Sequence, residues 1–193
     1  MSDEILNNSM QHKIQQFIKK NLKNLIVFIA LLILILFGFF FYKDLQKKEE
    51  LKISENYIQA SIKFEENKKA QAKEFLENII NKDHKFYSPL ALYFIIDKKL
   101  ETDPLKIMNY FDNVLSIRSI EKENLNLIKI KKAIFLFDLA DEEKIIDLLN
   151  PVINSDSVWR NMAIKLMSDY FLSKDQTTKA NEYIQLLNNK IKK

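Results

Sequence analysis

Residues 25–42 read LIVFIALLILILFGFFFY, an apolar run with no charged side chain. The rest of the chain mixes apolar and polar positions in the manner of amphipathic helices. The two patterns predict different elements. At 1.5 Å per residue the run forms a helix about 27 Å long, close to the roughly 30 Å hydrocarbon core of a bilayer. A core helix in so small a protein would keep a polar face, and this segment has none. A cleaved signal would carry a shorter apolar region, about 7–15 residues, followed by a small-residue cleavage site. Here the run ends in Gly38-Phe39-Phe40-Phe41-Tyr42, too bulky for such a site, while rings with a polar tip suit the membrane interface. The pattern predicts a transmembrane helix over 25–42 that remains as an anchor.

Beyond Tyr42 the pattern predicts eight helical segments in four pairs. They are 45–66 with 68–81, 89–100 with 104–116, 121–139 with 142–153, and 157–172 with 177–191. The first continues from the apolar run with no breaker between them. Ser88-Pro89 and Asp103-Pro104 each place a capping side chain before a first-turn proline. Asp141, followed by Glu142 and Glu143, opens the sixth segment.

Aligning the second members of the pairs brings Ile79, Val114, Val152 and Leu187 into register, with steps of 35, 38 and 35 residues. The same register aligns Ala72, Ile107, Ile145 and Ala180. In the first members it aligns Ala60, Ile95, Ala133 and Ser168, small at three of four places. Small residues where paired helices cross let their backbones approach. A helix-turn-helix unit of about 34 residues has the tetratricopeptide period. The sequence NMAIKLMSDYFLSKDQTTKANEYIQLL resembles that repeat best, with Ser168, Phe171, Ala180, Ile184 and Leu187 at its characteristic places. The repeat's glycines are missing, Ile95 fills a small-residue place, and Pro151 lies inside or just ending a helix. The expected fold is therefore all-α: an N-terminal transmembrane helix, then a tetratricopeptide-like right-handed helical-hairpin solenoid of about four degenerate repeats. An irregular helical bundle with coincidental spacing is the alternative.

Composition supports the helical reading. The sole glycine, Gly38, lies in the apolar run, and the prolines are Pro89, Pro104 and Pro151. Sheets, tight hairpins and phosphate loops need glycine. The net charge of +4 divides evenly across the run, about +2 on each side. Lys13, Lys19, Lys20 and Lys23 precede the run and Lys43, Lys47, Lys48 and Lys52 follow it, so counting basic residues at its two ends does not orient the span. The lysines are interspersed with acids and the arginines are only Arg118 and Arg160, which argues against a nucleic-acid partner.

Catalytic chemistry finds few candidates. No cysteine exists to act as nucleophile or thiolate ligand, and no serine sits in a glycine-flanked elbow. His12 precedes the membrane run and His84 lies in the polar turn NKDHKF, so the two histidines do not converge on a metal. The pairs Glu65-Glu66 and Glu142-Glu143 read as helix-end charges. The expectation is a protein with no catalytic, metal or cofactor site. What remains is a binding surface. In tetratricopeptide arrays the first helices line the concave face. That geometry assigns Tyr57, Phe64, Leu92, Ile96, Ile130, Ile134, Phe137, Met162 and Leu172 to a candidate groove. The segment NLIKIKKAIFLFDLA is apolar nearly all round, which equally describes the buried centre of a stack. Trp159, beside Arg160, reads either as a binding anchor or as packing against the preceding repeat.

The order of tail, span, helical linker and degenerate repeats resembles the ancillary SecYEG translocon subunit family of bacterial inner-membrane proteins. The resemblance is carried by FYSPLALYFI (86–95), NLNLIKIKKAIFLFDLA (124–140) and SVWRNMAIKLMSDYFLSKD (157–175). It implies a single-pass protein with a short cytoplasmic tail at 1–24, a span at 25–42 and a periplasmic tetratricopeptide-like domain at 43–193. It also implies partners: the SecYEG translocon, a periplasmic prolyl-isomerase-like chaperone, and unfolded or translocating client proteins. The expected role is chaperone-like assistance to export and folding at the lipid bilayer. Two other roles stand beside it: a periplasmic scaffold for outer-membrane assembly or cell division, and a regulator acting through the cytoplasmic tail.

Overall fold

A computed structural model describes residues 2–139 and 142–187. Among these residues there are eight α-helices and no strand: α1 (Ser2–Glu65), α2 (Lys69–Ile80), α3 (Tyr87–Asp97), α4 (Pro104–Leu115), α5 (Lys122–Leu136), α6 (Glu142–Ile153), α7 (Arg160–Ser173) and α8 (Thr177–Gln185). The last helix ends at Gln185, and Asp141 and residues 188–191 of its expected extension lie outside the described residues. So do the side chains of the first nineteen residues, His12 included.

The chain divides into two compact units, Met1–Lys52 and Ile53–Lys193. The first holds the apolar run. Its large side chains are uncovered, Leu34 at 72% exposure and Phe37 at 73%, and the helix is long and apolar enough to cross a membrane. The second unit begins at Ile53, which is also the first buried side chain among those described.

Within the second unit, consecutive helices from α2 to α8 pack against one another in chain order, as short connections between antiparallel helices require. The repeat register is a burial register. Ala60, Ile95, Ala133 and Ser168 are all buried, as are Ala72, Ile107, Ile145 and Ala180. Ile79, Val114 and Val152 are buried too, and Leu187 is half-buried. The core falls into two clusters that meet along α5, with Ile128 in the first and Ile130 in the second; Phe135 packs against both. Side chains also tie one unit to the next at about the repeat spacing. The Tyr110 hydroxyl donates to Glu77, Lys122 Nζ to Asp156 at 2.8 Å, and Lys179 Nζ to Glu142 at 2.7 Å.

The missing glycines have structural substitutes. Helices α1, α3 and α7 end in a left-handed residue, Asn67 (φ 60°), Lys99 (φ 51°) and Asp175 (φ 57°). After each, the next amide donates back to the carbonyl five residues earlier: Lys68 to Lys63 at 2.8 Å, Leu100 to Ile95 at 2.9 Å and Gln176 to Phe171 at 2.9 Å. This is the Schellman closure that glycine ordinarily provides. Asn and Asp tolerate the left-handed region through local hydrogen bonding, whereas Lys99 carries its full steric cost.

Two expected helix starts fall elsewhere. At Asp103-Pro104 the carboxylate accepts the Leu105 amide at 2.9 Å and Pro104 opens α4, as the pattern requires. Ser88 caps nothing; α3 has begun at Tyr87. The Ser88 hydroxyl donates to the Ile79 carbonyl at 2.9 Å and accepts the His84 amide at 2.9 Å, pinning α3 to the end of α2. His84 Nδ1 takes over the capping by accepting the amides of Phe86 and Tyr87. The seventh helix starts at Arg160; the Ser157 hydroxyl donates to Glu123 of α5 and accepts the Trp159 amide at 3.1 Å, holding the turn ahead of the helix. The fifth ends at Leu136, earlier than expected. Pro151 sits within the last turn of α6, where its missing amide removes one i→i−4 hydrogen bond just before the helix ends.

Candidate protein-binding face

The first helix of each pair contributes to one face. The end of α1 runs alongside α3: the Tyr57 ring lies 5.9 Å from Tyr87 and 6.1 Å from Phe94, and Phe64 lies 5.6 Å from Phe94. Lys131 of α5 stands over the Tyr93 ring of α3 at 4.5 Å. Phe137, just past α5, meets Tyr170 of α7 edge-on at 5.4 Å. The end of α1 (53–65) and helices α3, α5 and α7 therefore succeed one another along one face.

The row is filled at one end and open at the other. Between α1 and α3 the aromatic rings occupy the crevice. Between α3 and α5 lies a cleft of about 280 Å³, floored by Phe111 and edged by Tyr93, Ile96, Asp97 and Lys131. Between α5 and α7 lies a second, of about 400 Å³, floored by Ile130 and edged by Met162, Lys165, Leu166 and Asp169. Ile134 belongs to both and is 51% exposed, a ridge between two hollows. Burial of the Tyr93 phenol pushes its pKa up to about 12, so it stays a neutral donor throughout the physiological range.

The nine groove candidates separate into three groups. Ile134, Met162 and Leu172 are half-exposed. Tyr57, Phe64, Ile96 and Phe137 are half-buried; Tyr57, Phe64 and Phe137 pack against rings of the neighbouring first helix, while Ile96 lines the α3–α5 cleft. Leu92 is fully closed off in the first core cluster, a correction to its place in the groove. Ile130 is 1% exposed and reaches the face only as the floor of a cleft, a correction of the same kind. Helix α3 is apolar on nearly every side and in α5 lysines and apolar residues are spread around the helix, so hydrophobicity could not separate their inward positions from their outward ones. The same blindness hid Tyr93 and Leu166, one position beyond Leu92 and Lys165 in the repeat register. The charged rim of Asp97, Lys131, Lys165 and Asp169 was legible only as generic helix-surface charge.

Trp159 is half-buried against the second core cluster, next to the N-terminus of α7. Its neighbour Arg160 turns inward: Nε donates to the Ile153 carbonyl at 3.0 Å and Nη2 to the Leu186 carbonyl at 2.9 Å. Both residues are thus engaged in packing α7 against α6 and the end of α8. Among the described residues no cluster of His, Asp and Glu has the arrangement to hold a metal ion.

No curated protein and no solved structure matches this chain. Residues 15–185, most of its length, match a family described as the tetratricopeptide repeat-like domain. Helix pairs stacked in a repeating burial register, with their first helices ranked along one face, are the structural expression of that match: the chain belongs to the tetratricopeptide repeat-like domain family.

Proposed function

We propose that this is a membrane-anchored protein-binding module, an ancillary subunit of the Sec translocon that assists exported proteins as they emerge into the periplasm. The observation that carries the reading is the joining, in one chain, of an uncovered apolar helix and a tetratricopeptide-like array with an open apolar face. Lipid is the environment in which the first ceases to be a liability, and a partner polypeptide is what the second accommodates. Burial of apolar surface is non-directional, so such a face accepts varied sequences, as clients in transit demand.

In this reading residues 1–24 form a cytoplasmic tail, 25–42 span the bilayer and 43–193 work in the periplasm beside SecYEG and a prolyl-isomerase-like chaperone. The resemblance of FYSPLALYFI and SVWRNMAIKLMSDYFLSKD to the ancillary translocon subunits supports the orientation.

The test joins topology to proximity. A reporter fused to the C-terminus should be active only on the periplasmic side. Photo-crosslinkers placed at exposed positions on α5 and α7 should capture SecYEG or a chain arrested during export. A cytoplasmic C-terminus, or the absence of such crosslinks at every position tried, would overturn the proposal.

A further inference from the structure

The three joints between successive helix pairs are not built alike. The first, between the pair ending in α2 and the pair α3–α4, lies inside one hydrophobic cluster. The third, between α5–α6 and α7–α8, lies inside the other. The middle joint, between α4 and α5, falls where the core divides, with Ile128 in the first cluster and Ile130 in the second. We propose that this middle joint is a hinge on which the array bends as two stiffer halves, and that the ion pair of Lys132 with Asp112 is its latch. The inference goes beyond the reading of this chain as a protein-binding module and does not depend on it.

Polar ties follow the same division. At the first joint Lys73 pairs with Glu101, the Tyr110 hydroxyl donates to Glu77, and the Ser88 hydroxyl donates to the Ile79 carbonyl at 2.9 Å. At the third, Glu123 accepts from Ser157 and Val158, and Lys179 pairs with Glu142 at 2.7 Å. Arg160 adds its bond to the Ile153 carbonyl at 3.0 Å. Among the described residues, the middle joint is crossed by Lys132 to Asp112 and by Lys131 over the Tyr93 ring. Its apolar closure comes from Ile128 and Phe135 of α5 and Met108 of α4, which reach the opposite cluster.

The repeat register shows which pin is missing. Asn126 of α5 stands where Ser88 stands in α3, by the 38-residue step that aligns Ile95 with Ala133. Ser88 fastens α3 to the end of α2. Asn126 is also buried, at 4% exposure, yet its Nδ2 has no hydrogen-bond partner. A buried donor without an acceptor penalises the closed arrangement, and water supplies the acceptor once the joint opens.

The latch is asymmetric. The Lys132 side chain is 11% exposed and that of Asp112 59%. The shielded ammonium therefore relies on a carboxylate that solvent and ions can reach. Removing the carboxylate leaves a desolvated charge, which costs far more than the pair itself contributes. Parting α4 from α5 relieves that cost by rehydrating the ammonium. The cleft of about 280 Å³ between α3 and α5 has Phe111 of α4 and Phe135 of α5 in its wall, their rings 6.0 Å apart. Bending at the joint changes the width of that cleft, so the latch governs the shape of the face above it.

The experiment uses the full chain in nanodiscs. The sequence has no cysteine, so nitroxide labels go only where cysteines are introduced. One labelled pair, Glu74→Cys with Asp147→Cys, joins α2 to α6 and crosses the first and middle joints. The other, Asn109→Cys with Asn181→Cys, joins α4 to α8 and crosses the middle and third joints. All four positions are exposed. Distances are read by double electron–electron resonance. Asp112→Asn should broaden both distributions, because both pairs span the hinge. Lys132→Met added to Asp112→Asn should return both to the parental width, since no ammonium is left to rehydrate. Glu101→Gln, which weakens the first joint, should leave the α4–α8 pair unchanged.

Unchanged distributions in Asp112→Asn, broadening of one pair alone, or broadening that Lys132→Met fails to reverse would overturn the proposal. Circular dichroism checks that Asp112→Asn keeps its helices. If it does not, the parent chain carries the test: raising salt from about 0.1 M to about 1 M screens the exposed carboxylate and should broaden both pairs. Indifference of both pairs to salt would then overturn the hinge.

Discussion

The Ser157 hydroxyl donates a 2.6 Å hydrogen bond to the carboxylate of Glu123, 34 residues upstream. The same carboxylate accepts the Val158 amide at 3.2 Å, so the turn entering α7 is fastened to the first turn of α5. Consecutive units are held in register by polar ties as well as by apolar packing. Glu123→Ala should cost about 2 kcal/mol, since hydrogen bonds to a charged group are the stronger kind and two donors lose their acceptor. Thermal unfolding of the detergent-solubilised chain would measure this. In a double-mutant cycle, Ser157→Ala should be less damaging in the Glu123→Ala background than alone.

Arg160 fastens the last unit through two carbonyls, those of Ile153 and Leu186. Lysine carries the same charge but lacks the planar fork that reaches both. Arg160→Lys should therefore destabilise by about 1 kcal/mol and Arg160→Ala by about 2 kcal/mol. Amide exchange in α8 should quicken in both variants before that in α3, and uniform quickening along the chain would refute the local role.

Lys99 sits at φ 51° without the local hydrogen bonding that eases Asn or Asp into that region. Lys99→Gly should stabilise the fold by about 1 kcal/mol, despite glycine's greater freedom in the unfolded chain. Asp175→Gly should change stability much less. A destabilised Lys99→Gly would show that the lysine side chain contributes more than its backbone strain costs.

Acid should loosen the joint between the first two helix pairs of the repeat array. Lys73 holds the Glu101 carboxyl well below its ordinary value near 4.5, at about 2, helped by the amides of Asp103 and Thr102. Because the folded value is the lower one, the stabilisation is fully present above about pH 4.5 and is lost as the pH falls toward 2. Glu101→Gln should be less stable than the parent at pH 6, and the gap should close on acidification. A gap that stays constant between pH 6 and pH 2.5 would show that the ion pair does not stabilise the fold.

Much of the architecture is visible along the chain. The places aligned by the repeat, Ala60 with Ile95, Ala133 and Ser168, all turn out buried, because a period in sequence becomes a period in packing when each unit stacks on the last. Asp103-Pro104 marked a helix start correctly because capping there is settled by residues two apart. Ser88-Pro89 misled for the opposite reason: His84 Nδ1 caps α3 one turn earlier, and the Ser88 hydroxyl is tied to the Ile79 carbonyl, nine residues back and on another helix.

The sequence by itself determined the helical class, the membrane-compatible run and the repeating pairs, since those follow from glycine scarcity, apolar length and periodicity. Only the tertiary structure decided which apolar side chains of α3 and α5 face outward. It turned Leu92 into the core, left Ile134 as a ridge, and closed the α1–α3 crevice with rings. The physical reason is that a helix whose apolar residues are spread around its circumference carries no local instruction about its orientation. That choice belongs to its neighbours.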